Sequence, residues 1–115
     1  MTVFMPLDIP MLDVSPGVRA HRVVDQPHGS GAVTVGELEV EPGASLALHR
    51  HKVEEVVMVV SGHARFTLNG DASDVGPGAI LHAPAGEPHS LECISAEPLR
   101  IYFVFPAVNV EREWV

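Results

Sequence analysis

The sequence has little of what several large classes of protein require. It holds a single cysteine, Cys93, so no disulfide can form within the chain. A scarcity of cysteine fits a reducing compartment, and a cytoplasmic location is expected. No apolar run approaches the roughly 20 residues of a membrane-spanning helix. No basic segment precedes the first apolar residues, so a signal peptide is not predicted either.

Basic residues are also scarce. Seven lysines and arginines stand singly among 115 residues, against fifteen aspartates and glutamates, which gives a formal charge of −8. The chain therefore has no basic patch that could neutralise phosphates. Neither nucleic acid nor an acidic membrane surface is expected as a partner.

Helical periodicity is the third absence. Short segments of alternating polarity are separated by Gly and Pro turns, which predicts about eight or more strands in an all-β sandwich or barrel. An apolar content of 46% suffices for one folded domain. We expect a proline-rich extended arm over residues 1–18, a barrel over residues 19–106 and a tail over residues 107–115, which contains the only tryptophan. No Ser-His-acid pattern, reactive lysine or glycine-rich phosphate loop is apparent.

The most informative stretch is residues 43–62, GASLALHRHKVEEVVMVVSG. His49 and His51 lie two positions apart, and positions i and i+2 of a strand face the same side. Glu55 follows, and we expect it to start a strand that returns beside the first. Two imidazoles and a carboxylate that converge would form a site for a divalent metal ion. The alternative is a solvated edge strand whose histidines stand beside basic residues.

Other titratable residues are expected in solvent. His21 lies in a probable short strand over residues 19–24 and His28 in the loop after it, and both are predicted to be solvated rather than functional. Residues 32–41 alternate as a half-exposed strand, and the regular spacing of its glutamates predicts a solvated outer face. The glutamates on that face are Glu37, Glu39 and Glu41.

Two spaced motifs give the chain a close resemblance to the cupin family. The first family motif is G, five residues, H-x-H, three or four residues, E, six residues, G, and it is matched by Gly43, His49, His51, Glu55 and Gly62. The second is G, five residues, P-x-G, two residues, H, three residues, N. It is matched by Gly78, Pro84, Gly86 and His89, with Cys93 in place of the asparagine and Ala79 where an aspartate is often found. The resemblance implies a small jelly-roll barrel.

The resemblance also implies one metal site held by His49, His51, Glu55 and His89. One or two coordination positions would stay open for exchangeable ligands, and Fe, Mn, Ni, Cu, Co and Zn all accept such donors. The family includes dioxygenases, isomerases, cyclases, decarboxylases and lyases, and also non-catalytic modules. We expect a metal-dependent enzyme for a small oxygenated substrate, with dioxygenase chemistry first. A non-redox isomerase, cyclase or lyase and a non-catalytic binding module are the alternatives.

Three residues have predicted roles at this site. Glu55 could act as a general base if it loosens from the metal. His82 lies in the apolar segment AILHA and could bond a substrate or merely the backbone. Cys93 should face the barrel interior if the alternation from His89 holds, either near the metal as a second-shell modifier or as a small buried apolar residue.

The segment VVMVV is apolar on both faces. If Glu55 points inward, then Val56, Met58 and Val60 face outward and need cover. The N-terminal arm is the nearest apolar supply, and small cupins are commonly dimers. A homodimer in which the arm contributes to the interface is therefore predicted.

Overall fold

A computed structural model describes all residues, 1–115. Apart from a three-residue 3-10 turn at Pro6–Asp8, its regular structure is all strand. That turn is the only helical element, and no helix of the structure could cross a membrane. The strands are β1 Leu12–Ser15, β2 Val18–Val24, β3 Thr34–Val40, β4 Ser45–Arg50, β5 Glu55–Ser61, β6 Ala64–Leu68, β7 Asp71–Val75, β8 Ile80–Ala83, β9 His89–Cys93, β10 Leu99–Phe105 and β11 Glu113–Trp114.

The strands form two antiparallel sheets, and the predicted jelly-roll barrel is confirmed. One sheet has the order β1-β2-β3-β10-β5-β8 and the other the order β11-β4-β9-β6-β7. The prediction that Glu55 starts a strand beside the first histidine strand is wrong, because β5 pairs with β10 and β8 in the opposite sheet. β4 and β5 therefore lie in different sheets, and their buried faces meet across the interior of the barrel.

Alternation along the strands builds the core. Glu55, Val57 and Val59 are buried as predicted, and so are alternate residues of β9 and β10. Sixteen buried apolar side chains from both sheets form a single cluster. Burial on this scale is the main source of stability for a domain of this size.

The turn at Asn69-Gly70 joins β6 to β7. Both residues have positive φ, 49° and 84°, which the two-residue turn requires. The turn sets the register of β7, whose residues are mostly exposed.

Two solvation predictions on the outer face of the six-stranded sheet are wrong. His21 and Glu37 are 7% and 6% exposed. The ring Nδ1 of His21 donates to the carbonyl of Ile9 at 2.7 Å, and Arg100 donates to Glu37 at 2.7 Å. Residues of the N-terminal segment cover this face, which alternation alone does not reveal. The predictions for Glu41 and His28 are confirmed, since both residues are exposed.

Candidate metal centre

Four side chains from both sheets converge at one end of the barrel. His49 lies near the end of β4, His51 just beyond it, and Glu55 and His89 are the first residues of β5 and β9. All four are buried, between 1% and 7% exposed. One ligand atom from each lies within 4.8 Å of the others, so the cluster could hold a metal ion. In the β4–β9 register His49 lies directly opposite His89.

Backbone carbonyls orient all three imidazoles. The Nδ1 atoms of His49, His51 and His89 donate to the carbonyls of Ala47, Glu111 and Glu87 at 2.7, 2.8 and 2.9 Å. A carbonyl only accepts, so Nδ1 carries the proton and Nε2 is left for a metal. These hydrogen bonds fix the tautomer that a metal-binding histidine needs.

The donor set and its spacing fit a divalent transition metal. Glu55 Oε1 lies 3.0 Å from Nε2 of His89 and 3.8 Å from Nε2 of His51. With ligand distances of about 2.1 Å, an octahedral ion spaces neighbouring donors about 3 Å apart and opposite donors about 4.2 Å apart. Three nitrogens and one oxygen suit Mn, Fe, Co, Ni, Cu or Zn, and an octahedral ion would keep two positions open.

Burial and hydrogen bonding shift the histidine pKa values in different directions. Burial is the main cause that lowers the pKa of His49 to about 3, and it also lowers that of His51. At His89 burial acts in the same direction, but the hydrogen bonds to Glu55 and the Glu87 carbonyl outweigh it and raise the pKa. Without a metal, His89 therefore keeps its proton to higher pH than a free histidine does.

A cavity of about 630 Å³ opens onto the cluster. Eleven of its 20 lining residues are hydrophobic, and His49, Glu55 and His89 are among the polar ones. The volume is in the range that small organic ligands occupy. Phe103 and Phe105 of β10 line it, whereas Tyr102, which precedes Phe103 on the strand, lies on the outer face.

The C-terminal tail completes this end of the barrel, which sequence reasoning missed. β11 pairs with β4 so that Trp114 lies opposite His49, with ring centroids 5.9 Å apart. Arg112 lines the cavity, and its guanidinium carbon lies 5.2 Å from the Trp114 ring centroid. The only sequence signal was that Trp114 is the sole tryptophan.

Two residues with predicted roles are not brought to the cluster. His82 is exposed on β8, where it bonds Glu54 at 3.0 Å. Cys93 faces the interior as predicted and is 1% exposed, but it is the last residue of β9, roughly 13 Å along the strand from His89. Its Sγ contacts the carbonyl of Glu97 at 3.3 Å, which places it as a small buried residue.

Comparison with known proteins finds a family model and sequence relatives that match much of the chain. The family model described as Cupin domain matches residues 36–105. An uncharacterized protein of Streptomyces coelicolor, SCO3923, is 34% identical over 73 residues, which cover 64% of this chain and 69% of that protein. Mannose-1-phosphate guanylyltransferase ManC of Salmonella typhimurium is 35% identical over 102 residues, 81% of this chain. The matched region is only 21% of the length of ManC, and the likeness to ManC is therefore a likeness to one part of that enzyme.

A solved structure extends the likeness to the whole chain. The polyketide cyclase RemF of Streptomyces resistomycificus superposes with a TM-score of 0.85 at 26% identity. The match covers 100% of this chain and 85% of RemF. The N-terminal strand and the tail are therefore included in the similarity.

Proposed function

The chain belongs to the cupin family, and from that premise we propose that it is a metal-dependent enzyme that transforms a small oxygenated organic molecule. The observation that carries the proposal is the buried cluster of three histidines and Glu55, of which His49, Glu55 and His89 line a cavity. Four protein ligands fill the coordination shell of a tetrahedral structural zinc, whereas an octahedral ion held by the same four residues would keep two positions for a substrate.

The residues of the chain have separate tasks in this proposal. His49, His51 and His89 hold one divalent transition-metal ion through Nε2, each fixed by its backbone acceptor. The bound ion supplies Lewis acidity to oxygen atoms of the substrate, or a site for oxygen activation. The apolar walls, including Phe103 and Phe105, exclude water. Glu55 is the group placed to accept a proton, since it is the only carboxylate in the cluster.

Two reaction types compete within this proposal. The dioxygenase reaction is the first expectation from the sequence. A non-redox reaction such as isomerisation, cyclisation or elimination is favoured by one finding, the match to a polyketide cyclase over the whole chain. Both need the same site, and they differ in whether oxygen is consumed.

A metabolite screen tests the proposed function. Protein reconstituted with each candidate metal is incubated with small oxygenated compounds, and oxygen uptake and product formation are followed together. We expect turnover that a variant with His49, His51 and His89 all replaced by alanine lacks. Uptake of oxygen would select the dioxygenase reaction, and product without uptake would select the non-redox one. Equal turnover by both proteins would remove the metal centre from the mechanism.

The non-catalytic module is the outcome if no turnover is found. Tight binding of a small molecule by the metal-loaded wild type, without conversion, would replace the enzymatic proposal by that of a ligand-binding domain. We also propose a cytoplasmic location, supported only by the scarcity of cysteine in the sequence.

We also propose that the chain forms a homodimer through the outer face of the six-stranded sheet. That face presents Val56, Met58 and Val60, which alternate with the buried residues of β5. Val60 is 43% exposed, and Ile80 on the neighbouring β8 is 71% exposed. Apolar residues of the N-terminal arm are exposed too: Met1, Val3, Met5, Leu7 and Leu12. Exposed apolar surface of this extent is typical of an interface.

Light scattering at micromolar concentration should return twice the 12.3 kDa mass of the chain. Ile80→Lys places a charge in the proposed interface and is expected to give monomers without loss of fold. Ile94→Lys is the matched control, because Ile94 is exposed in the loop after β9. A wild-type mass of about 12 kDa would contradict the dimer.

A further inference from the structure

Four of the six arginines pair with a carboxylate on the outer surface. Their side chains are between 43% and 49% exposed, and the closest N–O distances are 2.7 to 2.9 Å. The pairs are Arg19 with Glu39, Arg50 with Glu113, Arg65 with Asp74, and Arg100 with Glu37. Each of these four guanidinium charges therefore has a carboxylate partner.

The two remaining arginines, Arg22 and Arg112, line the cavity and belong to none of the ion pairs. Arg22 donates to the backbone carbonyl of Val110. The Nε atom of Arg112 is buried and has no hydrogen-bond partner at all. A buried donor of a charged group without a partner is costly, so its retention calls for an explanation.

The surroundings of Arg112 do not neutralise it. Burial lowers its pKa, and the charge of Arg22 acts in the same direction, while only Glu55 opposes them. Two other acidic residues line the cavity, but Asp25 contacts His28 at 2.6 Å and Asp13 is exposed on the edge strand β1. Neither is within ion-pair distance of Arg112.

The C-terminal tail positions Arg112. Its guanidinium carbon lies 5.2 Å from the ring centroid of Trp114, and the adjacent Glu111 carbonyl accepts the hydrogen bond of His51. A guanidinium binds a carboxylate through two parallel hydrogen bonds. The same tail segment therefore orients a metal-binding histidine and presents a cation to the cavity.

We propose that Arg112, supported by Arg22, is the carboxylate-binding site of the cavity, and that its ligand is a small dicarboxylate or oxo-carboxylate. One end of such a ligand would face the histidine cluster and the other would bond Arg112. This inference rests on the proposed function, and it narrows the substrate to an anion with at least two oxygen-bearing ends. A metal ion would add further positive charge to this part of the cavity, which favours an anion.

Binding measurements test the inference without any need for turnover. Malonate, succinate and the uncharged malonamide are titrated by calorimetry into metal-free and Zn²⁺-loaded protein, with Trp114 fluorescence as a second signal. We expect malonate or succinate to bind more tightly than malonamide. Arg112→Gln should weaken dicarboxylate binding about tenfold or more, because a charge-assisted bidentate contact is lost. Arg112→Lys keeps the charge but not the two parallel N–H donors of the guanidinium, so its affinity for dicarboxylates should lie between those of the wild type and Arg112→Gln.

Arg65→Gln is the matched control, because Arg65 pairs with Asp74 on the outer surface. It should leave dicarboxylate binding unchanged, and Arg112→Gln should not weaken Zn²⁺ binding, because it removes only a neighbouring positive charge. Wild-type affinity in Arg112→Gln, equal affinity for malonamide and malonate, or no dicarboxylate binding at about 10 mM would overturn the inference. An inactive protein that binds malonate through Arg112 would refute the enzyme and keep this site. An active enzyme whose turnover and dicarboxylate binding are unchanged in Arg112→Gln would support the enzyme and refute the Arg112 site.

Discussion

Chelating the metal from the wild-type protein is expected to lower its melting temperature by about 10 to 15 °C. An ion that binds only the folded state stabilises it by about 2.7 kcal/mol at 100 times Kd, and each kcal/mol shifts the melting temperature of a domain of this size by about 4 to 5 °C. The ligands come from β4, β5, β9 and the turn after β4, so the unfolded chain offers no preformed site. Thermal melts with and without a chelator measure the shift.

Single substitutions locate the effect. His51→Ala removes one ligand and should make melting insensitive to both Zn²⁺ and chelator. His63→Ala is the control, because His63 is exposed and lies outside the cluster, and it should keep the full response. If complete removal of the metal, verified by elemental analysis, leaves the wild-type melting temperature unchanged, then the cluster is not linked to folding.

Acid should release the metal, and the sign follows from His89. Its folded-state pKa lies above the ordinary value of 6.5, and below that raised pKa a proton in the metal-free protein occupies Nε2, where the metal would bind. Metal affinity should therefore be full above that raised pKa and fall about tenfold for each pH unit below it, as one proton competes with the ion. His49 does not compete, because its pKa of about 3 keeps it neutral. Zn²⁺ titrations in buffers between about pH 6 and 8.5 would show the dependence, and a flat profile would contradict it.

Much of the candidate site could be predicted because strand alternation is a local property. The period of two fixes which side chains share a face, so the inward direction of His49, Glu55, Val57 and Leu91 followed from the sequence alone. His89 joined the site only through the family motif, since local spacing cannot relate residues 34 positions apart. The backbone acceptors that set the tautomers lie two residues before His49 and His89, at positions where any residue supplies the carbonyl.

The burial of residues on an outer sheet face could not be predicted, because it depends on which distant segment of the chain covers that face. Alternation correctly places Glu37 on the outer side of the barrel, but its burial and that of His21 depend on the N-terminal segment that packs there through Ile9. The tail is a similar case. β11 has only two residues, which is too short to show an alternating pattern. Neither its pairing with β4 nor the position of Arg112 could therefore be predicted from the sequence. The sheet partner of β5 likewise follows from long-range topology rather than from the turn that precedes it.

Replacing Glu55 should have the largest effect on turnover. Glu55→Gln keeps the size of the side chain and removes its negative charge and its basicity, and we expect a loss of about 100-fold or more at saturating metal. Glu55 is the only carboxylate in the cluster, and the other acidic residues that line the cavity, Asp13 and Asp25, lie outside it. The comparison is made on protein whose metal content matches that of the wild type, so that lost turnover is not lost metal.

Two further variants decide whether the effect belongs to Glu55 alone. Cys93→Ser should change turnover less than about threefold, because its Sγ contacts the Glu97 carbonyl at 3.3 Å and a serine hydroxyl can donate there too. His82→Gln tests the catalytic role predicted for His82; its ring bonds Glu54 on the exposed side of β8, so turnover should be unchanged. A large loss in His82→Gln would restore that role and imply that β8 moves towards the cavity during turnover. Wild-type activity in metal-loaded Glu55→Gln would contradict a role for Glu55 as the base. Glu55 would then be a metal ligand only, and the substrate or water would accept the proton.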